Sequence, residues 1–253
     1  MMRRLVYFTL GNNTAYLEVA RLCVASLYAT GYNGDILFIT DMRSNIESVI
    51  SSFWPHRVFF LEVGKSDLLH SAASKLRIFE FVLVSNYSHI IYCDLDILWL
   101  RSPELIFEKL LDDKVYITTE SWRRMTHRYY AGNGLLDDTE IAQIEKDDTK
   151  GLNTGFFAFK STMIHVIREI YYFFLKNIDK ANEFLEQSFV NVYLHRNGLY
   201  DTSLTGMLAH NGRHITRTRT HFDGVALHFA GGPGNSAEKM LQMQRYMKAL
   251  EQS

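Results

Sequence analysis

The chain has little of what builds linkers, staples or a field of one charge. Three prolines and 15 glycines among 253 residues leave scant material for a flexible linker. Two cysteines, Cys23 and Cys93, both inside apolar runs, exclude a disulfide-framed module and are expected as buried, reduced thiols. No apolar run approaches the roughly 18 residues of a membrane span. The start, MMRRLVYFTLGNN, has too short an apolar stretch for a secretory signal, so a cytoplasmic protein is expected. Lys and Arg number 27 against 28 Asp and Glu, a net charge of −1. No global basic field is present to hold a nucleic acid, and any anionic ligand must be gripped locally. The segment GNNTAY from Gly11 lacks the G-x-G-x-x-G of a dinucleotide fold, and HNGRH at His210 to His214 lacks the glutamate of a HExxH zinc helix.

What is there is a core. Hydrophobic residues make up 47% and aromatics 13%, which suits a densely packed α/β domain. Residues 4–10 read as a strand ended by Gly11-Asn12-Asn13, and 14–30 as a capped helix stopped by Gly31. Strands follow at 35–40, 58–63 and 90–94, with a helix at 71–84 before the last. Four strands separated by helices predict βαβ units in a mostly parallel sheet. Beyond Asp96, Ser102-Pro103 opens a helix and 115–119 is a strand. Residues 122–150 have no clear period, which in a compact domain marks a functional loop. Its basic-aromatic part (Arg123 to Tyr130) either stacks on an acceptor and orders over a bound donor or stands as a solvated loop. Strands at 155–159, 214–218 and 225–230 are expected, with helices from Ser161, over 182–195 and over 236–250. In the last, Met240, Met243, Met247 and Leu250 form a stripe that packs on the domain's own body. The whole, 1–253, reads as one domain, with a nucleotide-binding half (1–100) and an acceptor half (101–253).

The most informative stretch is SHIIYCDLDILWL, Ser88 to Leu100. Asp94 and Asp96 follow a buried strand directly, and in extended backbone residues i and i+2 point the same way. At the carboxyl end of a parallel strand, where such sheets open their ligand crevice, both carboxylates can face one hard divalent ion, Mn²⁺ or Mg²⁺.

An apolar strand feeding D-x-D after a βαβαβ half resembles the nucleotide-sugar glycosyltransferases of the GT-A fold. Three further segments resemble its family-8-like branch: Gly151 to Phe157 (GLNTGFF), its L-N-[ST]-G segment; Leu185 to Asn191 (LEQSFVN), its D-Q-x-x-l-N segment, with Glu for Asp; and Val225 to Gly231 (VALHFAG), its closing strand and H-x-x-G. They occur in the family's order and span residues 4 to about 240. The resemblance implies roles. Asp94, Asp96 and His228 would ligate the metal, Asp94 also standing near the ribose. Thr9, Leu10 and Gly11 would line the base and ribose pocket, while Asn12 and Asn13 either join it or only form the turn. Lys75 matches a basic position that contacts the donor. Gly231 and Gly232, before the helix at Ser236, would bring backbone N–H groups to phosphate. Glu186 or Gln187 would sit behind the sugar ring if configuration is retained, and Asn153 would position sugar or acceptor.

Implied partners are a UDP-sugar (glucose, galactose, xylose or a deoxyhexose) and a glycan or glycoprotein acceptor. The chain departs from the branch in lacking Lys-Pro-Trp after H-x-x-G; its nearest lysine is Lys239. The opening YFTLGNN is also similar to glycosyltransferases encoded by large algal DNA viruses, which would place it in host cytosol. Two alternatives stay open. Haloacid-dehalogenase-like phosphohydrolases also use strand–D-x-D, with a nucleophile where Asp94 stands, but early in the chain and with Thr or Val where Ile97 follows here. An inactive nucleotide-sugar binder would keep the metal site without turnover.

Overall fold

The computed structural model describes residues 3–11, 13–65, 67–111, 113–210, 223–230 and 236–251. The first half alternates as expected: β1 (Arg3–Leu10), α1 (Leu17–Ala29), β2 (Asp35–Thr40), α2 (Arg43–Ile50), β3 (Val58–Glu62), α3 (Leu68–Ala73) and β4 (Tyr87–Cys93). Side chains alternate between two apolar layers. Val6, Phe8, Ile36 and Phe38 join the core on one face, and Leu5, Tyr7, Leu37 and Ile39 the core on the other. Strands buried on both faces read as continuous apolar runs, which is why they stand out in the sequence.

The second half supplies β5 (Ile97–Trp99), α4 (Glu104–Phe107), β6 (Val115–Arg124), α5 (Arg128–Ala131), α6 (Asp138–Lys146), β7 (Lys150–Lys160), α7 (Ile164–Lys176), α8 (Gln187–Asn197), β8 (Tyr200–Asp201), β9 (Leu208–His210), β10 (Ala226–His228) and α9 (Ser236–Glu251). Among the described residues, seven strands form one sheet in the order β3-β2-β1-β4-β7-β6-β8, and three form a second, β5-β10-β9. The pairs from β3 to β4 are parallel, while β7 runs antiparallel to both neighbours. One sheet therefore carries strands from both halves of the chain.

Two expectations need correction. The helix over 71–84 is α3 followed by a 3-10 helix, Ser74–Glu80, in which Ser74, Lys75, Leu76 and Ile78 are buried. The stretch 122–150 is not irregular: β6 runs to Arg124, and α5 and α6 follow. A capping box starts α6, with Asp137 accepting from the Glu140 N–H and Glu140 from the Asp137 N–H. The helix expected after Pro103 is present, as a single turn. Of the second sheet, β10 falls within the strand expected at 225–230, while β5 and β9 have no counterpart in the sequence pattern. The strand expected at 214–218 lies outside the described residues. The Met stripe of α9 does pack inward: Met243 is buried in the core beside Phe229, with Met240 and Met247 against it.

Candidate active site

β1 has β2 on one side and β4 on the other, so the sheet's direction of winding reverses between β1 and β4, and the crevice opens at their carboxyl ends. There β4 stops at Cys93, and the Asp94 N–H donates to the Gly155 carbonyl at 2.7 Å. The chain turns through Leu95 and Asp96 and re-enters strand at Ile97. Strand alternation therefore does not align the two aspartates; the turn does. β10 pairs antiparallel with β5, His228 opposite Ile97, and the Phe229 N–H donates to the Asp96 carbonyl at 2.8 Å. That ladder delivers the imidazole. His228 Nε2 stands 3.2 Å from Asp96 Oδ1 and 4.0 Å from Asp94 Oδ2.

Asp94, Asp96 and His228 each offer a ligand atom within 4.8 Å of the other two. Two carboxylates and one imidazole suit a divalent ion of the Mn²⁺ kind, its remaining positions open to phosphate or water. Asp96 Oδ1 is buried and turns to the same point as His228 Nε2, 3.2 Å away, as two ligand atoms of one ion would. The residues fit the group.

Two buried lysines flank these carboxylates. Lys75 Nζ lies 2.8 Å from Glu186 Oε1, 3.5 Å from Asp94 Oδ1 and 3.3 Å from the Thr154 carbonyl, and 4.8 Å over the Tyr92 ring. Lys239, on α9, lies 2.6 Å from Asp96 Oδ2. Burial works against the charge on each lysine, but Asp94 and Glu186 hold Lys75 protonated, and Asp96 holds Lys239. Burial would likewise raise the Asp96 carboxyl; His228 and Lys239 outweigh it and hold the group far below the usual carboxylate range.

The sequence segments meet through specific bonds. Thr154 Oγ1 donates to Glu186 Oε1 at 3.0 Å, and Gln187 Nε2 to the Tyr129 carbonyl at 3.3 Å. Glu186 is reached through Leu185, whose φ of +58° costs a leucine about 1–2 kcal/mol. Asn191, fully buried on α8, accepts from the Leu152 N–H at 2.7 Å and donates to the Leu152 carbonyl at 2.9 Å. The asparagine of one segment thus clamps the strand of another. Asn153 Oδ1 accepts from the Gly155 N–H at 2.9 Å, and its Nδ2 donates to Glu120 Oε1 at 2.8 Å.

At the end of β1, Thr9 Oγ1 is 3.1 Å from the Tyr92 hydroxyl, which donates to Asp94 Oδ1. Gly11 approaches α3 so closely that a Cβ there would lie 2.5 Å from Ser71 Oγ. The Leu10 side chain, in contrast, is buried in the core, and its carbonyl accepts from Thr40 Oγ1. Asn13 caps the turn after β1 through the Ala15 N–H. Asn12, Gly231 and Gly232 lie outside the described residues. Cys23 and Cys93 are free and buried behind Asp94. Residues missed from the sequence are Tyr92, Glu120 and the inward turn of Lys239. Only the last had a signal: on α9 it shares the face of Ser236, Met243 and Tyr246, all buried.

No protein-family model matches the chain, and no curated protein matches it in sequence. Among solved structures it is similar to the galactosyltransferase LgtC in complex with donor and acceptor sugar analogs, with a TM-score of 0.67 at 13% identity, over 98% of this chain and 95% of that one. No described helix is long and apolar enough to cross a membrane. The fold is an α/β, GT-A glycosyltransferase fold, with a mostly parallel central sheet flanked by helices.

Proposed function

We propose that the protein is a metal-dependent glycosyltransferase of the family-8-like kind, moving a hexose from a UDP-sugar to a hydroxyl of a glycan or glycoprotein in the cytosol. The observation that carries this reading is Lys75: one buried ammonium touches Asp94 of the D-x-D turn, Thr154 of the L-N-T-G strand and Glu186 ahead of α8. Three segments far apart in sequence share one charge at the mouth of the crevice.

Asp94, Asp96 and His228 would hold Mn²⁺ or Mg²⁺, which when bound stabilises the charge of a departing diphosphate. Thr9 and Gly11, with the Leu10 backbone, meet the base and ribose, and Lys75 orients the donor from the side of Asp94. Gly231 and Gly232 meet the phosphates. Glu186, just ahead of α8, and Gln187, its first residue, flank the sugar ring, which favours retention, and Asn153 holds the sugar or its acceptor. The first half of the chain thereby grips the nucleotide and the second shapes the acceptor side.

Incubation with UDP-glucose, UDP-galactose, UDP-xylose and a UDP-deoxyhexose plus Mn²⁺ tests the proposal. UDP release from at least one donor is expected, abolished by EDTA and by Asp96→Ala. Phosphate release from p-nitrophenyl phosphate without UDP release would instead favour a phosphohydrolase with Asp94 as nucleophile. Binding of UDP and Mn²⁺ with no turnover would leave a nucleotide-sugar binder.

A further inference from the structure

One carboxylate beside the site has no part in the donor-side roles above. Glu120, on β6, is half-buried, and both of its oxygens are held. Oε1 accepts from Asn153 Nδ2 at 2.8 Å, and Oε2 from the Tyr130 hydroxyl at 2.6 Å. Neither donor is free to wander. Asn153, only 6% exposed, is pinned by the N–H of Gly155, the residue that lies against Asp94 and His228. Tyr130 is fully buried, its ring so close to Gly151 that a Cβ there would lie 2.3 Å from ring carbons. Burial and the neighbouring Glu120 push the Tyr130 hydroxyl well above its ordinary pKa, so it stays a donor.

Two hydrogen bonds do not fill an ionised carboxylate, which has about four acceptor sites. The wall around it is aromatic and cationic: Tyr129 stands 6.2 Å from the Tyr130 ring, and the Arg123 guanidinium lies 3.7 Å over Tyr129. These rings are packed by Gly151, Arg123 and Phe184, so they fix the carboxylate in place and leave its spare acceptor sites for a hydroxyl donor such as a sugar's.

Building on the transferase reading, we propose that Glu120 is the acceptor-side residue: it accepts the hydrogen bond of the incoming hydroxyl and turns that oxygen toward the donor sugar. Asn153 and Tyr130 are the positioning residues that mount it, and Asn153 ties it to the metal ligands through Gly155.

Water serves as the probe acceptor, because hydrolysis of the donor places a water where the acceptor hydroxyl would stand. With the full chain, Mn²⁺ and UDP-glucose, UDP-galactose or UDP-xylose, Glu120→Gln is expected to lower kcat for UDP release about 100-fold. The donor KM, the affinity for UDP with Mn²⁺ by calorimetry and the melting temperature should stay within about twofold or a few degrees of wild type. Glu120→Asp should recover part of the rate. Tyr130→Phe keeps the ring on Gly151 and removes one mount, so it should cost about 10-fold in kcat at unchanged donor KM. Unchanged kcat in Glu120→Gln, or kcat lost together with UDP binding, overturns the assignment. A wild-type chain that releases no UDP from any donor overturns the transferase reading itself, and the assignment with it.

Discussion

Gly155 faces His228 with no room to spare: a Cβ on Gly155 would lie 2.4 Å from His228 Cε1 and 2.8 Å from Asp94 Oδ2. Its φ is outside the left-handed region, so space and not conformation demands glycine here. The same residue accepts the Asp94 N–H at its carbonyl and donates its own N–H to Asn153. A β7 backbone without a side chain is the surface on which Asp94 and His228, two of the candidate metal ligands, rest.

Gly155→Ala should therefore displace His228 or Asp94. Disturbing the shell behind a ligand typically lowers metal affinity 10- to 100-fold, and overpacking costs about 1–3 kcal/mol of stability. Calorimetric titration with Mn²⁺ checks this; an affinity equal to that of wild type would show that the ligands do not lean on Gly155.

How much of this was legible beforehand depends on where each contact comes from. β1, β2 and β4 show in the sequence because Val6, Phe8 and their neighbours are buried on both faces. Asp94 and Asp96 show because charged residues directly after such a run are conspicuous, although their convergence arises from a turn at Leu95 that spacing does not report. His228 reaches them only through the β5–β10 ladder, and short strands such as these carry too few residues to display a period. Lys239 and Asp96 are 143 residues apart, a distance at which local pattern is silent. Lys75 shows only through the family resemblance; its burial within the 3-10 helix is not marked by a helical period.

The hub at Lys75 should be costly to break and cheaper to remove whole. Lys75→Met leaves Glu186, 3% exposed, without its ammonium. Stranding a buried charge in this way costs about 3–5 kcal/mol. Adding Glu186→Gln should restore a large part of that, since the charge and its partner then go together. Urea denaturation of both singles and the double gives the coupling, and additive losses would count against the ion pair.

Asn191 tests the link between two sequence segments. Asn191→Leu keeps the volume but strands the N–H and C=O of Leu152, both of which it now satisfies. At about 1–3 kcal/mol for each buried unsatisfied group, a loss of about 2–4 kcal/mol is expected in a urea melt. A change below about 0.5 kcal/mol would mean that the clamp is not needed to hold β7 on α8.

Lys239 makes the sharpest case for a missing positive charge at Asp96. Its ammonium, 5% exposed, sits 2.6 Å from Asp96 Oδ2, while Oδ1 is buried on the side of His228. In Lys239→Met the carboxylate loses its nearest cation, so the metal-free protein should lose about 3 kcal/mol, the lower end for a broken buried pair because His228 remains. A divalent ion held by Asp94, Asp96 and His228 replaces that charge, and a ligand that binds only the folded chain stabilises it in proportion to its affinity. Saturating Mn²⁺ should consequently raise the melting temperature of Lys239→Met more than that of wild type, narrowing the gap between them. Thermal melts with EDTA and with Mn²⁺ decide it: equal shifts in the two proteins would mean that Lys239 and the metal do not share Asp96.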